Sequence, residues 1–432
     1  MEIERYLVEK KEEIRGFEVK KRLVKFPVTK FGTAVIGPRR SGKSFSLFSL
    51  IKDKKIKDED YIFVNYEDDE IKTLERTKKI RVVDAHIELY RKPPRYIFLD
   101  EIHALERWQS FVYSLIEKKK YYVFITGSSS KLLSKEIATQ LRGRIISVPV
   151  FPFSFKEYLS LKEAVPSFPL SSSAISNLKG FLREYLLSTG FPPVIIDKMN
   201  PKVFFKDYVN LVIFRDIVER FRVKNIYALK FLINRIISSF SAKFSVNKVF
   251  NELKARNIKV GKAMLYDYAD HLDDVMFSFF LKKFYFSEKK SALSVPKAYL
   301  CDLGLANYLI GTKFSEDIGR AMENIVSIEL KKKELGGEID LFYWESHNCE
   351  VDFVVKEGLR IKQLIQVTYA SSIDEIEKRE LRALLKASKE LNCKNLLCIT
   401  WDYEGIESLK SRGLERKIRF VPLWKWLLSP SD

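Results

Sequence analysis

Residues that build disulfides and zinc sites are scarce in this sequence. Its 432 residues include four cysteines, Cys301, Cys349, Cys393 and Cys398, and no two of them form a C-x-x-C pair. The spacing therefore carries neither a disulfide framework nor a zinc signature. This usage is typical of a reducing, cytoplasmic location.

Long apolar segments are also missing. No stretch approaches the roughly eighteen apolar residues that a membrane-spanning helix needs. The charged N-terminus, MEIERYLVEKKEEIRGFEVKKR, lacks the apolar core of a signal peptide. We therefore expect a cytoplasmic protein with no membrane partner.

Low-complexity tracts and internal repeats are absent, and acidic residues are outnumbered. Lys and Arg total 76 against 57 Asp and Glu, a formal charge of +19. A field of this sign attracts polyanions, with nucleic acid as the leading candidate. The alternative is the interspersed Lys and Glu of heat-stable proteins, which the count of only four Gln also favours. Charge alone leaves both interpretations open, while the chain length predicts about two to four domains.

One motif stands out among what is present, within TAVIGPRRSGKSFSLFS at residues 33–49. It fits G-x-x-x-x-G-K-[ST], the phosphate-binding P-loop, between a strand-like run and a helix-like run. Gly37 permits the turn out of the strand, and Gly42 lets backbone N–H groups approach phosphate oxygens at a helix N-terminus. Lys43 is predicted to reach the β- and γ-phosphates of ATP or ADP, and Ser44 to ligate Mg²⁺. The predicted nucleotide-binding residues are Gly37, Pro38, Arg39, Arg40, Ser41, Gly42, Lys43, Ser44 and Phe45.

Strands and helices alternate along the first part of the chain. Residues 1–30 are charged and are expected to form a helix. Short apolar runs predict strands at residues 61–67, 96–101, 121–129 and 144–150, and helices are predicted at residues 69–90, 104–118 and 131–141. Continuous apolar runs between helices predict a parallel sheet covered on both faces, in which ligands bind beyond the carboxyl ends of the strands.

Two of those carboxyl ends carry groups suited to ATP hydrolysis. Four apolar residues lead into Asp100 and Glu101, as in a Walker B strand. Asp100 is predicted to hold Mg²⁺ and Glu101 to polarise the attacking water. After the next strand, in the run Thr126-Gly127-Ser128-Ser129, Ser128 is predicted to sense the γ-phosphate.

Two arginines follow in the run QLRGR. Arg142 and Arg144 carry permanent planar cations that are able to neutralise transition-state charge. They are candidates for an arginine finger, acting in cis or across a subunit boundary. A surface pair on a basic protein is the alternative that stays open.

Five segments together resemble a widespread group of prokaryotic AAA+-type P-loop ATPases, many with a C-terminal domain of PD-(D/E)XK nuclease type. The segments are GPRRSGKS, YIFLDEIHALERWQ, FITGSSSKLL, LRGRIISVPVFPFSFKEYL and STGFPP, and the resemblance runs from about residue 15 to 425. It implies a P-loop sheet with an additional strand between the Walker A and Walker B strands. It also implies that residues 151–155 lead into a helical lid bearing Gly190-Phe191-Pro192.

The expected architecture is a multidomain α/β chain. An AAA+-type P-loop core with a parallel sheet occupies residues 1–155, and the helical lid occupies residues 156–225. A winged helix is expected at residues 226–312, and a PD-(D/E)XK nuclease-like α/β domain at residues 313–432.

Residues 226–312 read as three helices and a hairpin-like pair of strands, the order of a winged helix. The third helix takes the place of a recognition helix, yet it carries four acidic residues that would repel a phosphate backbone. Better candidates for DNA contact are the hairpin lysines Lys282, Lys283, Lys289 and Lys290. Service as a lid or as a protein contact is the alternative.

Residues 313–432 read as a helix, a three-stranded meander, a helix and a strand, which is the order of the PD-(D/E)XK fold. On that pattern Glu323 is the helix Glu and Asp352 the strand Asp, while Gln366 and Thr368 fall where Glu-x-Lys should stand. Gln366 is a weaker Mg²⁺ ligand than a carboxylate, and Thr368 has no charge to replace the lysine. Glu350 is assigned to the opposite face of the strand from Asp352. We therefore expect a vestigial site in a domain retained for binding or partner contact, with active DNA cleavage as the alternative.

The sequence thus predicts an ATPase that uses ATP or ADP with Mg²⁺. Two functions stay open. In the first, hydrolysis is directed to nucleic acid in DNA repair, recombination or defence. In the second, a nucleotide-switched regulatory or scaffold ATPase acts on protein partners. A homo-oligomer is compatible with either.

Overall fold

The chain divides into two compact units. The computed structural model describes residues 2–127, 143–310, 314–411 and 414–428. One unit comprises Met1–Phe151 with Asp274–Met276, and the other comprises Pro152–Asp273 with Phe277–Asp432. The boundary after Phe151 lies near the expected end of the ATPase core at residue 155. The expected division of the remainder into three domains stays a prediction.

A parallel five-stranded sheet forms the core of the first unit. Its strands are β1 (Gly32–Ile36), β2 (Tyr61–Asn65), β3 (Tyr96–Asp100), β4 (Tyr122–Gly127) and β5 (Ile145–Pro149). Their order in the sheet is β2-β3-β4-β1-β5, and every neighbouring pair runs parallel. β4 therefore lies between β1 and β3, which confirms the additional strand expected in a P-loop sheet.

The helices of the first unit differ from the prediction in two places. They are α1 (Glu2–Gly16), α2 (Lys43–Asp53), α3 (Asp69–Thr73), α4 (Arg76–Ile80), α5 (Val82–Tyr90) and α6 (Trp108–Glu117). The single helix predicted at residues 69–90 is broken because Leu74 and Glu75 adopt extended backbone angles. α1 ends at Gly16, a poor helix former, well before residue 30. The helix predicted at residues 131–141 lies outside the described residues.

Short helices dominate the first half of the second unit. They are α7 (Phe155–Leu161), α8 (Ser172–Leu187), α9 (Pro192–Ile195), α10 (Pro201–Leu211), α11 (Ile226–Ser238), α12 (Val246–Ala255), α13 (Lys262–Asp274), α14 (Glu288–Ala292) and α15 (Gly304–Leu309). A π-helix at Val212–Glu219 continues α10. Local capping explains several starts: Ser154 and Glu157 form a capping box at α7, and the Asn225 side chain accepts the Ala228 N–H at α11.

A small antiparallel sheet lies among these helices. Its strands are β6 (Ala242–Lys243), β7 (Ser278–Leu281) and β8 (Lys297–Leu300), in the order β6-β8-β7. From α11 to β8 the elements therefore run helix, strand, helix, helix, strand, short helix, strand. Between the last two strands of the predicted hairpin, the segment with Lys289 and Lys290 forms the short helix α14.

A six-stranded mixed sheet forms the C-terminal half of the second unit. Its elements are α16 (Phe314–Leu335), β9 (Asp340–Ser346), β10 (Cys349–Glu357), β11 (Arg360–Val367), α17 (Lys378–Glu390), β12 (Leu396–Thr400), β13 (Gly405–Ser411), β14 (Leu414–Pro422) and α18 (Leu423–Leu428). The strand order is β13-β14-β12-β11-β10-β9. The predicted order of helix, meander, helix and strand is present, and the hairpin β13–β14 is additional to the prediction. Across the part of the chain that the structure describes, no helix is both long enough and apolar enough to cross a membrane.

Buried Asp302 joins two segments of the second unit, the one at Thr189 and Gly190 and its own. The Thr189 hydroxyl donates to Oδ1 at 2.6 Å, the Gly190 N–H donates to Oδ2 at 2.7 Å and the Gly304 N–H donates to Oδ1 at 2.8 Å. Burial raises the pKa of Asp302 to about 6, against these hydrogen bonds, which lower it. Glycine is required at position 190 because a Cβ there would lie 2.5 Å from the carbonyl oxygen of Phe153.

Replacing Asp302 by alanine would leave three buried donors without their acceptor. We expect Asp302→Ala to lower the free energy of unfolding of the second unit by about 3 kcal/mol. Denaturant unfolding followed by tryptophan fluorescence measures this, since four of the five tryptophans lie in that unit. Asp197→Ala, at an exposed position, is the matched control and is expected to change stability by about 0.5 kcal/mol or less. Equal stability of the two variants would contradict the prediction.

Candidate nucleotide site

The loop between β1 and α2 packs tightly against the residue that follows β5. A Cβ on Gly37 would lie 2.0 Å from the carbonyl oxygen of Val150, so a larger residue does not fit. Gly42 has a φ of 92°, in the left-handed region that favours glycine. The backbone then enters α2, whose first N–H groups and dipole favour an anion. The loop has the geometry expected of a phosphate-binding loop.

Arg22 holds this loop from behind. Its buried guanidinium donates to the carbonyl oxygens of Ser41 at 2.9 Å and Phe151 at 2.7 Å. The planar fork of an arginine suits two acceptors at once. Sequence reasoning did not identify Arg22, because it lies 19 residues before Ser41 and outside the motif.

Lys43 folds over the same loop. Its ammonium donates to the carbonyl oxygens of Gly37 at 3.1 Å and Pro38 at 3.0 Å, and the side chain is buried. This contact holds a positive charge at the loop that the sequence predicts to bind phosphate.

The side chains of Ser44, Asp100 and Thr126, from three separate elements, form one hydrogen-bonded group. The Ser44 hydroxyl donates to Oδ2 at 2.7 Å, and the Thr126 hydroxyl donates to Oδ1 at 2.5 Å. The Thr126 oxygen in turn accepts the Glu101 N–H at 2.9 Å. Burial and the charge of Glu101 raise the pKa of Asp100 to about 6, against the hydrogen bonds from Thr126 and Ser44. The carboxyl ends of β3 and β4 and the first turn of α2 therefore share one polar centre.

Thr126 is the functional candidate that the sequence prediction passed over in favour of Ser128. The signal was present, since Thr126 is a hydroxyl residue near the end of a buried strand. Ser128 and Arg142 lie outside the described residues, so their predicted roles stay predictions.

Glu101 leads away from this centre in a strained conformation. Its φ of 45° is uncommon for a residue other than glycine, and such strain is frequent at functional sites. Its Oε2 lies 3.3 Å from Nδ1 of His103, and Nε2 of His103 lies 3.8 Å from Oε1 of Glu67. Among the residues that the structure describes, these three side chains form the one group of His, Cys, Asp and Glu spaced to share a metal ion.

Arg144 lies at the wrong end of the sheet for a role in its own subunit's site. Its carbonyl accepts the Gly32 N–H at 2.9 Å, at the amino end of β1, whereas the P-loop follows the carboxyl end of that strand. Its guanidinium is paired with Glu117 and lies over the ring of Tyr113. The structure therefore corrects the expectation that Arg144 acts as a finger in cis.

The remaining predicted loop residues differ in exposure, and Pro38 and Ser41 are buried. Arg39 is half-buried, while Arg40 is exposed with a φ of 60°. Phe45 is 42% exposed, and its ring centroid lies 5.3 Å from those of Phe17 and Phe48. This aromatic cluster offers an apolar surface beside the loop.

The predicted nuclease-like residues converge in the second unit, around a residue that the sequence did not reveal. Lys297 of β8 donates to Glu323 Oε1 at 2.9 Å and to Asp352 Oδ1 at 2.8 Å, and its Nζ lies 2.7 Å from Glu350 Oε1. The assignment of Glu350 to the opposite face from Asp352 is therefore wrong, because residues two apart along a strand share a face.

Gln366 and Thr368 lie at the edge of this cluster. The N–H that follows Gln366 in the chain, that of Val367, donates to Asp352 Oδ2 at 2.9 Å. Thr368 hydrogen-bonds Glu380, and burial and the nearby charge of Asp352 raise the pKa of Glu380 to about 7, against that bond. The Gln366 side-chain oxygen is buried and has no hydrogen-bond partner among the described residues.

A family model described as an AAA domain matches residues 30–159. This range contains the loop, Lys43, Ser44, Asp100 and Thr126, and its parallel sheet has the strand order of a P-loop ATPase. The first unit is therefore an AAA-type P-loop ATPase domain. Two further models, both described as domains of unknown function, match residues 180–316 (DUF8612) and 318–425 (DUF4143).

The relatives cover nearly the whole chain. The "Uncharacterized protein MJ1544" of Methanocaldococcus jannaschii is 36% identical over 400 residues, which are 91% of this chain and 88% of that protein. The chain belongs to the same family as this archaeal protein. An uncharacterized protein of Haemophilus influenzae is 27% identical over 358 residues, covering 82% of this chain and 86% of its own length.

Solved structures are similar at a lower level. The Walker-type ATPase PABY2304 of Pyrococcus abyssi is 15% identical, covers 72% of this chain and 95% of its own, and has a TM-score of 0.43. AMPPCP-bound DnaA of Aquifex aeolicus is 15% identical, covers 61% of this chain and 85% of its own, and has a TM-score of 0.25. Both scores lie below 0.5, too low to establish a common overall arrangement.

Gly37→Ala tests the loop geometry directly. The new Cβ would meet the Val150 carbonyl at 2.0 Å, so the loop must move, and we expect nucleotide affinity to fall at least tenfold. Equilibrium titration with a fluorescent ATP analogue measures the affinity. Gly180→Ala is the matched control, because a Cβ there meets nothing within 4 Å, and it is expected to leave affinity unchanged. Unchanged affinity in Gly37→Ala would show that the loop is not the binding site.

Proposed function

We propose that the protein hydrolyses ATP in a Mg²⁺-dependent reaction at the loop of residues 37–45 with Asp100 and Glu101. The observation that carries the proposal is the hydrogen bond of 2.7 Å between Ser44 and Asp100, beside the Lys43 ammonium. A hydroxyl and a carboxylate are hard oxygen donors of the kind that Mg²⁺ prefers. Ser44 and Asp100 would hold the ion, which supplies charge neutralisation to the phosphates when bound.

The remaining residues divide the work of the reaction. Lys43 would leave its two carbonyl acceptors for phosphate oxygens, which are stronger acceptors because they are charged. Glu101 would accept the proton of the attacking water, and Thr126 would hold both Asp100 and the Glu101 backbone in register. Ser128 is the proposed γ-phosphate sensor. The exposed ring of Phe45 would support the base of the nucleotide.

Two substitutions separate binding from hydrolysis. We expect Lys43→Ala to abolish nucleotide binding. We expect Glu101→Gln to bind ATP with unchanged affinity, because the phosphate-binding loop is intact. Its turnover should fall at least a hundredfold, because the general base is lost. Steady-state phosphate release and analogue titration give the two numbers. Turnover in Glu101→Gln equal to that of the unaltered protein would remove Glu101 from the mechanism.

We further propose that hydrolysis is directed to nucleic acid, as in DNA repair, recombination or defence. Three features support this: the charge of +19, the winged-helix order of elements from α11 to β8, and the PD-(D/E)XK order of elements from α16 to β12. In this proposal the helices at residues 156–225 act as the lid that couples nucleotide state to the rest of the second unit. The C-terminal domain would bind nucleic acid without cutting it.

One observation favours the alternative, a nucleotide-switched ATPase acting on protein partners. Lys283 of the predicted DNA-contacting hairpin lies 3.5 Å from Glu345, and Lys243 of β6 contacts both Glu345 and Glu350. These lysines therefore neutralise acids of the same unit and contribute less to a surface field. A lid or a scaffold needs no basic surface.

Stimulation by DNA distinguishes the two proposals. If nucleic acid is the target, single- or double-stranded DNA is expected to raise the ATPase rate several-fold. The effect should fade between about 50 and 200 mM salt, because phosphate contacts release counterions. Phosphate release with and without DNA at the two salt concentrations measures this. A rate that DNA leaves unchanged at both would favour the protein-partner alternative.

A further inference from the structure

The charged cluster around Lys297 is deeply buried in the second unit. The Lys297 side chain is 3% exposed, that of Asp352 is 7% exposed and that of Glu323 is 12% exposed. Three carboxylate oxygens stand 2.7–2.9 Å from the ammonium, one for each of its N–H groups. An ion cluster this buried persists only when its charges are compensated and its hydrogen bonds are made.

Neighbouring hydrogen bonds fix Lys297 in this position. The Asn324 side chain both donates to and accepts from the backbone of Leu300, at 3.0 Å and 2.9 Å, which locks β8 against α16. The Tyr299 hydroxyl donates to Glu323 Oε1 at 2.6 Å, beside the bond from Lys297. These hydrogen bonds therefore fix β8 against α16 so that the Lys297 side chain contacts the acids.

The acids are equally well held. Asp352 accepts the Val367 N–H through Oδ2, so its Oδ1 is directed to the ammonium. Glu350 is shared between Lys297 and Lys243, whose Nζ lies 3.0 Å from its Oε2. Although burial acts against it, the charges of Asp352 and Glu323 keep the pKa of Lys297 well above its ordinary value. The three carboxylate partners of Lys297 therefore favour its charged form.

We propose that Lys297 is the resident cation of this centre, taking the place that a divalent metal ion takes between the carboxylates of a metal-dependent nuclease. The ammonium satisfies Glu323 and Asp352 together, which are the two acids that align with nuclease ligands. Its nitrogen–oxygen distances of 2.7–2.9 Å are those of hydrogen bonds, whereas Mg²⁺ requires about 2.0–2.1 Å. A metal ion at the same place would have to approach a fixed positive charge.

Two consequences follow. The C-terminal half is stable without a divalent metal, and its centre does not bind one while Lys297 is present. Removal of the ammonium leaves Glu323 and Asp352 buried without a compensating charge, beside the half-buried Glu350 that Lys243 still contacts, which creates a site for a divalent cation. The Lys297 centre lies wholly in the second unit, and its closure to metal does not depend on the proposed ATPase reaction.

Counting bound Mn²⁺ tests the unaltered centre. Nucleotide-free, full-length protein is titrated with Mn²⁺, and free Mn²⁺ is measured by electron paramagnetic resonance. The unaltered protein and Asp352→Asn are expected to bind the same number of ions, because any ion held at Ser44 and Asp100 is common to both. One ion bound by the unaltered protein and lost in Asp352→Asn would overturn the proposal. So would Mn²⁺-dependent cleavage of plasmid DNA that Asp352→Asn abolishes, since Lys297 would then be a nuclease lysine.

Lys297→Met tests whether loss of the ammonium opens the centre to a metal ion, because methionine keeps the apolar stem and removes the charge. We expect its melting temperature to fall by roughly 10 °C without metal and to recover partly in Mn²⁺, with one more ion bound than in the unaltered protein. The double variant Lys297→Met/Asp352→Asn should lack that ion. Lys362→Met, which removes an exposed lysine paired with Glu357, is the control and should show neither effect.

A folded Lys297→Met protein that binds no additional ion would contradict the proposal. If Lys297→Met does not fold, the comparison of the unaltered protein with Asp352→Asn still decides it.

Discussion

A buried carboxylate needs hydrogen bonds or an opposite charge to replace its lost hydration. The two polar centres of the chain differ in which of these they provide. The side chains that hydrogen-bond Asp100 are two hydroxyls, from Ser44 and Thr126, which carry no charge. Glu323 and Asp352 are compensated by a full positive charge on Lys297. Hydroxyls stabilise an acid and leave it able to bind a cation, whereas an ammonium has already taken the cation's place.

On the proposed assignments, this difference allows one chain to carry one centre that uses a metal ion and one centre that its own lysine closes to metal. The first centre lies where parallel strands end and a helix begins, a position open to a phosphate and its ion. The second centre is assembled from β8, α16 and β10, and the lysine that closes it comes from the segment preceding the C-terminal sheet. The same ion pairs that close the centre therefore join the two halves of the second unit. Loss of the lysine is expected to affect the fold as well as the chemistry of the centre.

The features that could be predicted from the sequence are those whose residues lie next to one another in the chain. The P-loop and the Asp100–Glu101 pair are local patterns, and the five strands of the first sheet are unbroken apolar runs, so the ATPase domain was predictable. Lys297 is separated by 26 residues from Glu323 and by 55 from Asp352, and nothing in its local sequence marks it as buried. The nuclease pattern places the lysine directly after β11, at the position of Thr368. The structure supplies it from β8.

Other differences also have physical causes. The hairpin β13–β14 has charged and polar residues between its apolar ones and lacks the apolar run that indicates a buried strand. The misplacement of Glu350 came from neglecting the two-residue period of a strand. Arg144 looked close to the nucleotide site in sequence, yet it precedes a parallel strand that must be traversed before the P-loop end is reached. For Arg144, spatial proximity was set by the topology of the sheet, which residue type and spacing do not encode.

The central claim is that the chain has one carboxylate centre for a divalent metal and one that its own lysine occupies. The most direct measurement is the anomalous scattering of Mn²⁺ in crystals of the full-length protein grown with a non-hydrolysable ATP analogue. The account predicts a strong peak between Ser44 and Asp100 and no peak among Glu323, Glu350 and Asp352. A peak beside Asp352, or none beside Ser44 with the nucleotide bound, would contradict it.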